Sequence, residues 1–220
     1  MTLTQRMYEG AKDIWPCYLE HPFVVGMAEG TLPLEKFRCY MLQDYAYLRD
    51  YIKIFAAILL KADDFGDIRF LCENMMAVID ETERVHVPYM KRLGITEEEI
   101  AAVVPHITNS SYTHYMICEA QSGSALAGLV ALLNCSWTYA YIGEEMGRRY
   151  PNAVNHPDYG QWFAGYDCEE YRQTNQGLID MVDQLGQEIS QKEADKLCQI
   201  FRQCSLYELK FWDMAYADEK

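Results

Sequence analysis

The chain has 220 residues, half of them apolar and about a quarter charged, which predicts one sizeable hydrophobic core in a single domain of residues 1–220. Its formal net charge of −14 opposes binding to nucleic acids or to anionic membranes, because both are negatively charged. The N-terminal segment MTLTQRMYEGAKDIWP lacks the apolar stretch of a secretory signal, and the eight cysteines form no CxxC pair, so we expect a cytoplasmic protein with free thiols.

Almost every segment has the apolar periodicity of a helix, and no segment alternates like a β-strand. In chain order, the pattern first predicts a helix over 3–20 that is kinked or shortened at Pro16, a short segment that ends at Gly30, and a long helix to about Lys61 after an N-cap at Thr31. It then predicts a helix from Asp67 to about Leu93 with a kink at Pro88, and a short helix that follows a Thr96–Glu99 capping box and ends at Val104. The remaining predicted helices are 110–121, 125–149, a short one from Asp158, one from Cys168 to about Gly186, and a last one to about Ala217 after a Ser190–Glu193 capping box. We therefore predict an all-α, single-domain bundle of roughly seven to nine helices.

The segment from Ala120 to Gly143 contains no charged residue and is long enough to span a membrane. It also contains several polar residues, stands alone in the chain, and is followed at once by Glu144 and Glu145. A helix that is apolar on all sides also occurs at the centre of a soluble bundle. We favour that interpretation and expect no contact with membranes.

Cys135 lies near the middle of the most apolar segment and allows two interpretations. On a helical wheel it shares an apolar stripe with Leu132, Ala131 and Tyr139, which predicts a buried structural thiol. The small residues Gly128 and Ala131 leave space beside the stripe, and Tyr139 brings a polar group to it, which suits a nucleophile in a pocket wall. Burial raises the pKa of a thiol, so a nucleophile here needs a nearby base or hydrogen-bond donor.

Asp44 lies in the apolar and aromatic helical segment MLQDYAYL, on the same helix face as Tyr47. An acidic residue in such surroundings is costly unless it is paired or functional. The sequence leaves two interpretations of Asp44 open: a half-exposed carboxylate bonded to a tyrosine or arginine, or a functional acid.

Glu208 lies in SLYELKFWDMAY, with Phe211 and Trp212 on the same face. A carboxylate beside aromatic rings suits a general acid whose pKa is raised by an apolar pocket. The alternative is a solvated Glu208 paired with Lys210 or Arg202.

A further pattern, ETERVH, places Glu83 and His86 at the i, i+3 spacing by which helical bundles ligate iron. A di-iron site needs this motif twice, and the sequence contains no second copy. The pattern keeps open a metal oxidase or haem-type protein that uses Glu83 and His86, although we predict no metal site.

Three separated motifs occur in the order typical of one known family. HPFVVGMAEGTLPLEKFRCYMLQDYAYL, residues 21–48, resembles the N-terminal signature of the TenA/thiaminase II family. LLNCSWTYAYIGEEM, residues 132–146, is similar to the family's cysteine helix, and YELKFWDMAY, residues 207–216, to its C-terminal helix. The resemblance covers nearly all of the chain and implies the all-α fold that the family shares with haem oxygenase.

This resemblance implies a hydrolase of aminopyrimidines in thiamin salvage that uses no metal or organic cofactor. The substrate would be 4-amino-5-aminomethyl-2-methylpyrimidine, or thiamin itself, and the product 4-amino-5-hydroxymethyl-2-methylpyrimidine. A thiolate adds to the ring and breaks its aromaticity, so that the leaving group departs from the exocyclic methylene. Water then adds to the methylene, and the thiolate leaves.

The resemblance also implies roles for individual residues and an assembly. Cys135 would be the nucleophile, and Glu208 the proton donor and acceptor. The substrate-binding residues would be those that hold, stack on or surround the pyrimidine: Asp44 at its amidine edge, Tyr47 and Phe211 on its faces, Tyr112 and Tyr166 with hydroxyls near the thiol and ring, and Tyr139 in the pocket wall. Family members are typically homotetramers, and we expect the same here. A non-catalytic bundle that binds a pyrimidine or a partner protein is the remaining alternative.

Overall fold

In the computed structural model, which describes residues 1–217, the chain is helical and these residues contain no strand, which confirms the predicted all-α class. The helices are α1 (Leu3–Ala11), α2 (Trp15–Glu20), α3 (Pro22–Glu29), α4 (Leu34–Leu59), α5 (Phe65–Glu81), α6 (Val87–Arg92), α7 (Glu97–Ala102), α8 (Ile107–Ser122), α9 (Ala125–Arg149), α10 (Gly160–Tyr166), α11 (Glu169–Leu185) and α12 (Gln191–Tyr216). They are more numerous than the seven to nine helices predicted from the sequence. The predicted helix over 3–20 and the one from Asp67 to about Leu93 are each divided in two, and the short segment before Gly30 forms a helix of its own, α3.

Two details of the N-terminal prediction were wrong. The first predicted helix is divided by a turn at residues 12–14, and Pro16 lies in the first turn of α2, where proline fits without a kink. Thr31 does not cap α4, since the N-cap of this helix is Pro33. The N–H of Thr31 instead donates to the carbonyl of Gly26 at 2.8 Å and so helps to end α3. Gly30, with φ of +72°, makes the left-handed turn that this ending requires.

The predicted kink near Pro88 takes the form of a π-helix over Thr82–His86, between α5 and α6. Pro88 has no N–H with which to continue an α-helical hydrogen-bond ladder. A residue in a π-helix turns through a smaller angle than in an α-helix, so positions three apart no longer share a face. Accordingly His86 is buried, whereas Glu83 is exposed.

Helix α9 runs through the centre of the fold and packs against α4, α8, α10, α11 and α12. In the part of the chain that the structure describes, it is the one helix long and apolar enough to cross a membrane, yet 78% of its apolar window is buried inside the protein. Such burial is typical of the core helix of a bundle.

A buried polar network fixes α9 to α12 immediately beside Cys135. The Asn134 side chain donates to Ser205 Oγ at 2.7 Å and to the carbonyl of Phe201 at 3.1 Å. Trp15 Nε1 also donates to Ser205 Oγ, at 3.2 Å. Because hydrogen bonds between buried groups tolerate little displacement, this network sets the position of Cys135 relative to α12.

Candidate active site

Three helices bring the three predicted chemical groups together at the centre of the bundle. Helix α9 carries Cys135, α4 carries Asp44, and α12 carries Glu208. Both carboxyl groups act electrostatically on the thiol, and Glu208 also forms a hydrogen-bonding contact with it. The three residues are far apart in sequence, and their convergence is a property of the packing of these helices.

Cys135 is half-buried, although the residues on either side of it, Asn134 and Ser136, are buried. Burial raises the pKa of its thiol well above the ordinary value, and the neighbouring Glu208 carboxylate raises it further. A hydrogen bond with Tyr47 acts in the opposite direction. The thiol is therefore protonated at rest, and it becomes nucleophilic only when a base takes its proton.

Glu208 is placed to be that base. It is 2% exposed, and the hydroxyl of Tyr112 donates to its Oε1 at 2.8 Å. Burial raises the pKa of Glu208 to about 7, even though its hydrogen bonds with Tyr112 and Cys135 lower it. A carboxyl group with a pKa near neutrality can both accept and donate a proton.

The alternative of a solvated Glu208 was wrong. The two cations proposed as its partners pair elsewhere: Arg202 with Asp13, and Lys210 with Asp213. Glu208 instead faces the interior, among aromatic side chains of α8 and α12.

Asp44 is also buried, with 5% exposure, so the half-exposed alternative was wrong. Its nearest basic group is His86, whose Nε2 lies 3.6 Å from Asp44 Oδ2. Burial, together with the charges of Glu81 and Glu208, raises the pKa of Asp44 well above its ordinary value. Burial lowers the pKa of His86 to about 4, so the imidazole is neutral and does not hold Asp44 in its ionised form.

Aromatic rings form the walls around these groups. The rings of Tyr47 and Phe211 meet edge to face with centroids 5.8 Å apart, and Tyr47 lies 5.5 Å from Tyr112. On the Asp44 side, the rings of Tyr139 and Tyr166 have centroids 4.9 Å apart. All the residues that the sequence analysis proposed for the site thus lie in one region of the fold.

Two tyrosines that were not predicted for the site bond to α9 on either side of Cys135. The hydroxyl of Tyr51 donates to the carbonyl of Leu132 at 2.9 Å, and that of Tyr171 donates to the carbonyl of Ser136 at 3.3 Å. The spacing of Tyr51, four residues after Tyr47 on one helix, places both on the same face and was the available signal. Nothing in the local sequence of Tyr171 marks it.

The iron-binding alternative has no geometric support. Glu83 is exposed on the outside of the π-helix, whereas His86 is buried and faces Asp44. Within residues 1–217, no group of three or more His, Cys, Asp or Glu side chains is arranged to hold a metal ion.

Comparisons with known proteins agree with this geometry. The sequence profile of the TENA/THI-4/PQQC family matches residues 8–218. An aminopyrimidine aminohydrolase from Helicobacter pylori is 37% identical over 98% of this chain and 99% of its own length. A TenA homologue from Pyrococcus horikoshii OT3 superimposes with a TM-score of 0.88 at 32% identity, covering 98% of this chain and 99% of that protein.

A domain of unknown function from Shewanella denitrificans OS217, described as having a haem-oxygenase-like fold, is 14% identical. It superimposes with a TM-score of 0.78 over 98% of this chain and 92% of that domain. At this identity the similarity bears on the fold alone, and it confirms the haem-oxygenase-like architecture that we predicted.

Proposed function

The chain belongs to the TENA/THI-4/PQQC family, and from this membership and the geometry of the site we propose that it is an aminopyrimidine aminohydrolase of thiamin salvage with Cys135 as nucleophile. The reaction converts 4-amino-5-aminomethyl-2-methylpyrimidine, or thiamin, to the 5-hydroxymethyl compound. One observation supports the nucleophile above all others: the Cys135 thiol contacts the buried carboxyl group of Glu208, whose pKa is about 7.

Asp44 suits recognition of the aminopyrimidine edge. Because its pKa is raised well above the ordinary value, its carboxyl group retains a proton. A protonated carboxyl group donates one hydrogen bond and accepts another. These match a ring nitrogen, which accepts, and the adjacent amino group, which donates. Tyr47, Phe211, Tyr112, Tyr139 and Tyr166 enclose the ring with flat, largely apolar surfaces.

Glu208 moves the protons in this proposal. It takes the Cys135 proton as sulfur adds to the ring carbon beside the one that bears the methylene, and the ring's π electrons move onto a ring nitrogen. The electrons then return to expel ammonia from the protonated aminomethyl group, and the departing ammonia takes the proton from Glu208. Water adds to the methylene and gives a proton back to Glu208. Finally the ring expels the sulfur as a thiolate, which takes the proton back from Glu208, and the ring becomes aromatic again.

We propose further that the enzyme is a cytoplasmic homotetramer and that residues 1–220 act as one domain. Four large apolar side chains support an interface because they lie on the surface of the isolated chain: Leu60, Phe65, Val104 and Ile107. Light scattering should give about four times the chain mass of 25.6 kDa. A monomer would contradict the tetramer.

The proposed activity is tested by incubating the pure protein with the aminomethylpyrimidine, and separately with thiamin, and identifying the products by chromatography. We expect the hydroxymethylpyrimidine from at least one substrate, with ammonia from the first. Binding without conversion of either would instead favour the non-catalytic pyrimidine-binding protein.

A further inference from the structure

Four acidic side chains, from Glu170 at the surface to Glu208 in the site, act electrostatically on one another. Glu170 is exposed, Glu81 is half-buried, and Asp44 and Glu208 are buried. Burial raises the pKa of both Glu81 and Asp44; the charge of Glu170 adds to the effect on Glu81, and the charges of Glu81 and Glu208 add to that on Asp44. Glu170 and Glu81 therefore give this side of the site a negative potential, which favours cations, while Asp44 retains its proton.

His86 supplies a second and independent feature beside these acidic side chains. It is 7% exposed, and its Nδ1 is a buried atom without a hydrogen-bond partner. Its Nε2 faces the carboxyl group of Asp44. In a neutral imidazole with the proton on Nε2, Nδ1 is an acceptor. A buried acceptor without a donor is costly, so this atom is suited to receive one from a ligand.

Glu81 and His86 line the same crevice, together with Met41, Trp162 and Tyr166. Tyr166 belongs to the aromatic wall of the proposed pyrimidine site, so the crevice adjoins that site. Its volume is about 20 Å³. Such a space holds one group of about the size of a water molecule. An ammonium group fits this size, whereas a thiazolium ring does not.

We propose that Glu81 and His86 form a leaving-group subsite that selects substrates whose departing group is a small cationic amine. This inference rests on the proposed function and deepens it. An alkylammonium group carries a positive charge and three N–H donors. The Glu81 carboxylate supplies the opposite charge and an acceptor, and His86 Nδ1 supplies a second acceptor. A methoxy group, with neither charge nor donor, gains nothing from either residue. Both residues act as specificity-determining groups in this assignment, and neither forms a covalent bond.

The subsite is tested by binding, which does not depend on turnover. Calorimetry would give the Kd values of the 5-aminomethyl and 5-methoxymethyl pyrimidines for Cys135→Ala, and for Cys135→Ala combined with Glu81→Gln. The matched control combines Cys135→Ala with Glu83→Gln, which removes the same charge two residues away from an exposed position.

We expect Glu81→Gln to raise the Kd of the aminomethyl compound about tenfold or more, as for the loss of a charge-assisted hydrogen bond. The Kd of the methoxymethyl compound should change less than about twofold on the same reasoning, and Glu83→Gln should alter neither. An equal rise in the Kd of both ligands in Glu81→Gln would indicate a structural role and overturn the inference. An unchanged Kd for the aminomethyl compound would also overturn it, and so would an effect of equal size in Glu83→Gln.

His86→Leu provides a second variant that should shift the same ratio of Kd values, and it carries the test if Glu81→Gln does not fold. The proposed function is judged separately, because it depends on whether the wild-type protein converts either natural substrate. Selective binding without turnover would leave the subsite standing and remove the activity. Turnover by the wild-type protein, with no change of selectivity in Glu81→Gln or His86→Leu, would support the activity and overturn the subsite.

Discussion

The thiol of Cys135 lies in hydrogen-bonding contact with the carboxyl group of Glu208, and burial raises the pKa of both groups. The thiol is thereby kept protonated until a base removes its proton, and the base next to it titrates at about 7. In the proposed mechanism, this arrangement keeps the sulfur protonated in the resting protein and allows its activation by a single proton transfer.

Replacing Glu208 by Gln removes the base but keeps the size of the side chain. We expect kcat/KM for the aminomethylpyrimidine to fall about 10²- to 10⁴-fold, as for the loss of a general acid–base group. Steady-state ammonia release would measure this, with Glu188→Gln, at an exposed position just before α12, as the control. An unchanged kcat/KM in Glu208→Gln would contradict the role of Glu208.

The pH profile of kcat/KM should rise with pH through about 7, because Glu208 must lose its proton before it can accept that of Cys135. The hydrogen bond from Tyr112 lowers the pKa of Glu208, so Tyr112→Phe should move the inflection to higher pH. Both Tyr112 and Tyr115 pack on Tyr207, but the hydrogen bond to Glu208 comes from Tyr112, so Tyr115→Phe should leave the inflection in place. A downward shift in Tyr112→Phe would count against this assignment.

The free energy of unfolding should also depend on the protonation of Glu208. The pKa of Glu208 is raised on folding from 4.5 to about 7, so between these values the folded state binds more protons than the unfolded state. The contribution of Glu208 to the free energy of unfolding therefore falls as pH rises through this window, by about 3 kcal/mol in total. Urea unfolding at pH 5 and pH 8 should show that Glu208→Gln lacks this part of the pH dependence. Parallel pH dependence in wild type and variant would refute it.

The polar network beside Cys135 predicts a stability effect that does not depend on catalysis. Asn134→Ala removes two buried hydrogen bonds to α12, and it should lower the free energy of unfolding by about 1–3 kcal/mol. The exposed Asn152→Ala should change it by less than about 0.5 kcal/mol. Chemical denaturation of both variants measures the difference, and equal stability of the two would show that the network is not required.

Much of the fold could be predicted from the sequence, since α9 is a long apolar segment, α12 has an apolar periodicity, and both begin at clear N-caps, Ser124 and Ser190. The helix faces that carry Cys135 and Glu208 followed from the same periodicity. Their convergence did not, because it depends on how distant helices pack, and only resemblance to a family supplied it.

Other features lay beyond any local pattern. The π-helix that buries His86 and exposes Glu83 changes the face of each residue without a distinctive sequence signal. Glu81 is a half-buried acid at the end of an ordinary helix, and only the crevice that it lines indicates a role beside the site.

The central claim, that Cys135 is the nucleophile, is tested most directly by ammonia release from the aminomethylpyrimidine by Cys135→Ala. The control is Cys204→Ala, which removes another buried thiol one turn before Glu208 on α12. The account predicts that Cys204→Ala retains most of the wild-type rate, while Cys135→Ala loses about 10³-fold or more, as other enzymes do without their nucleophile. Release at the wild-type rate by Cys135→Ala would contradict it.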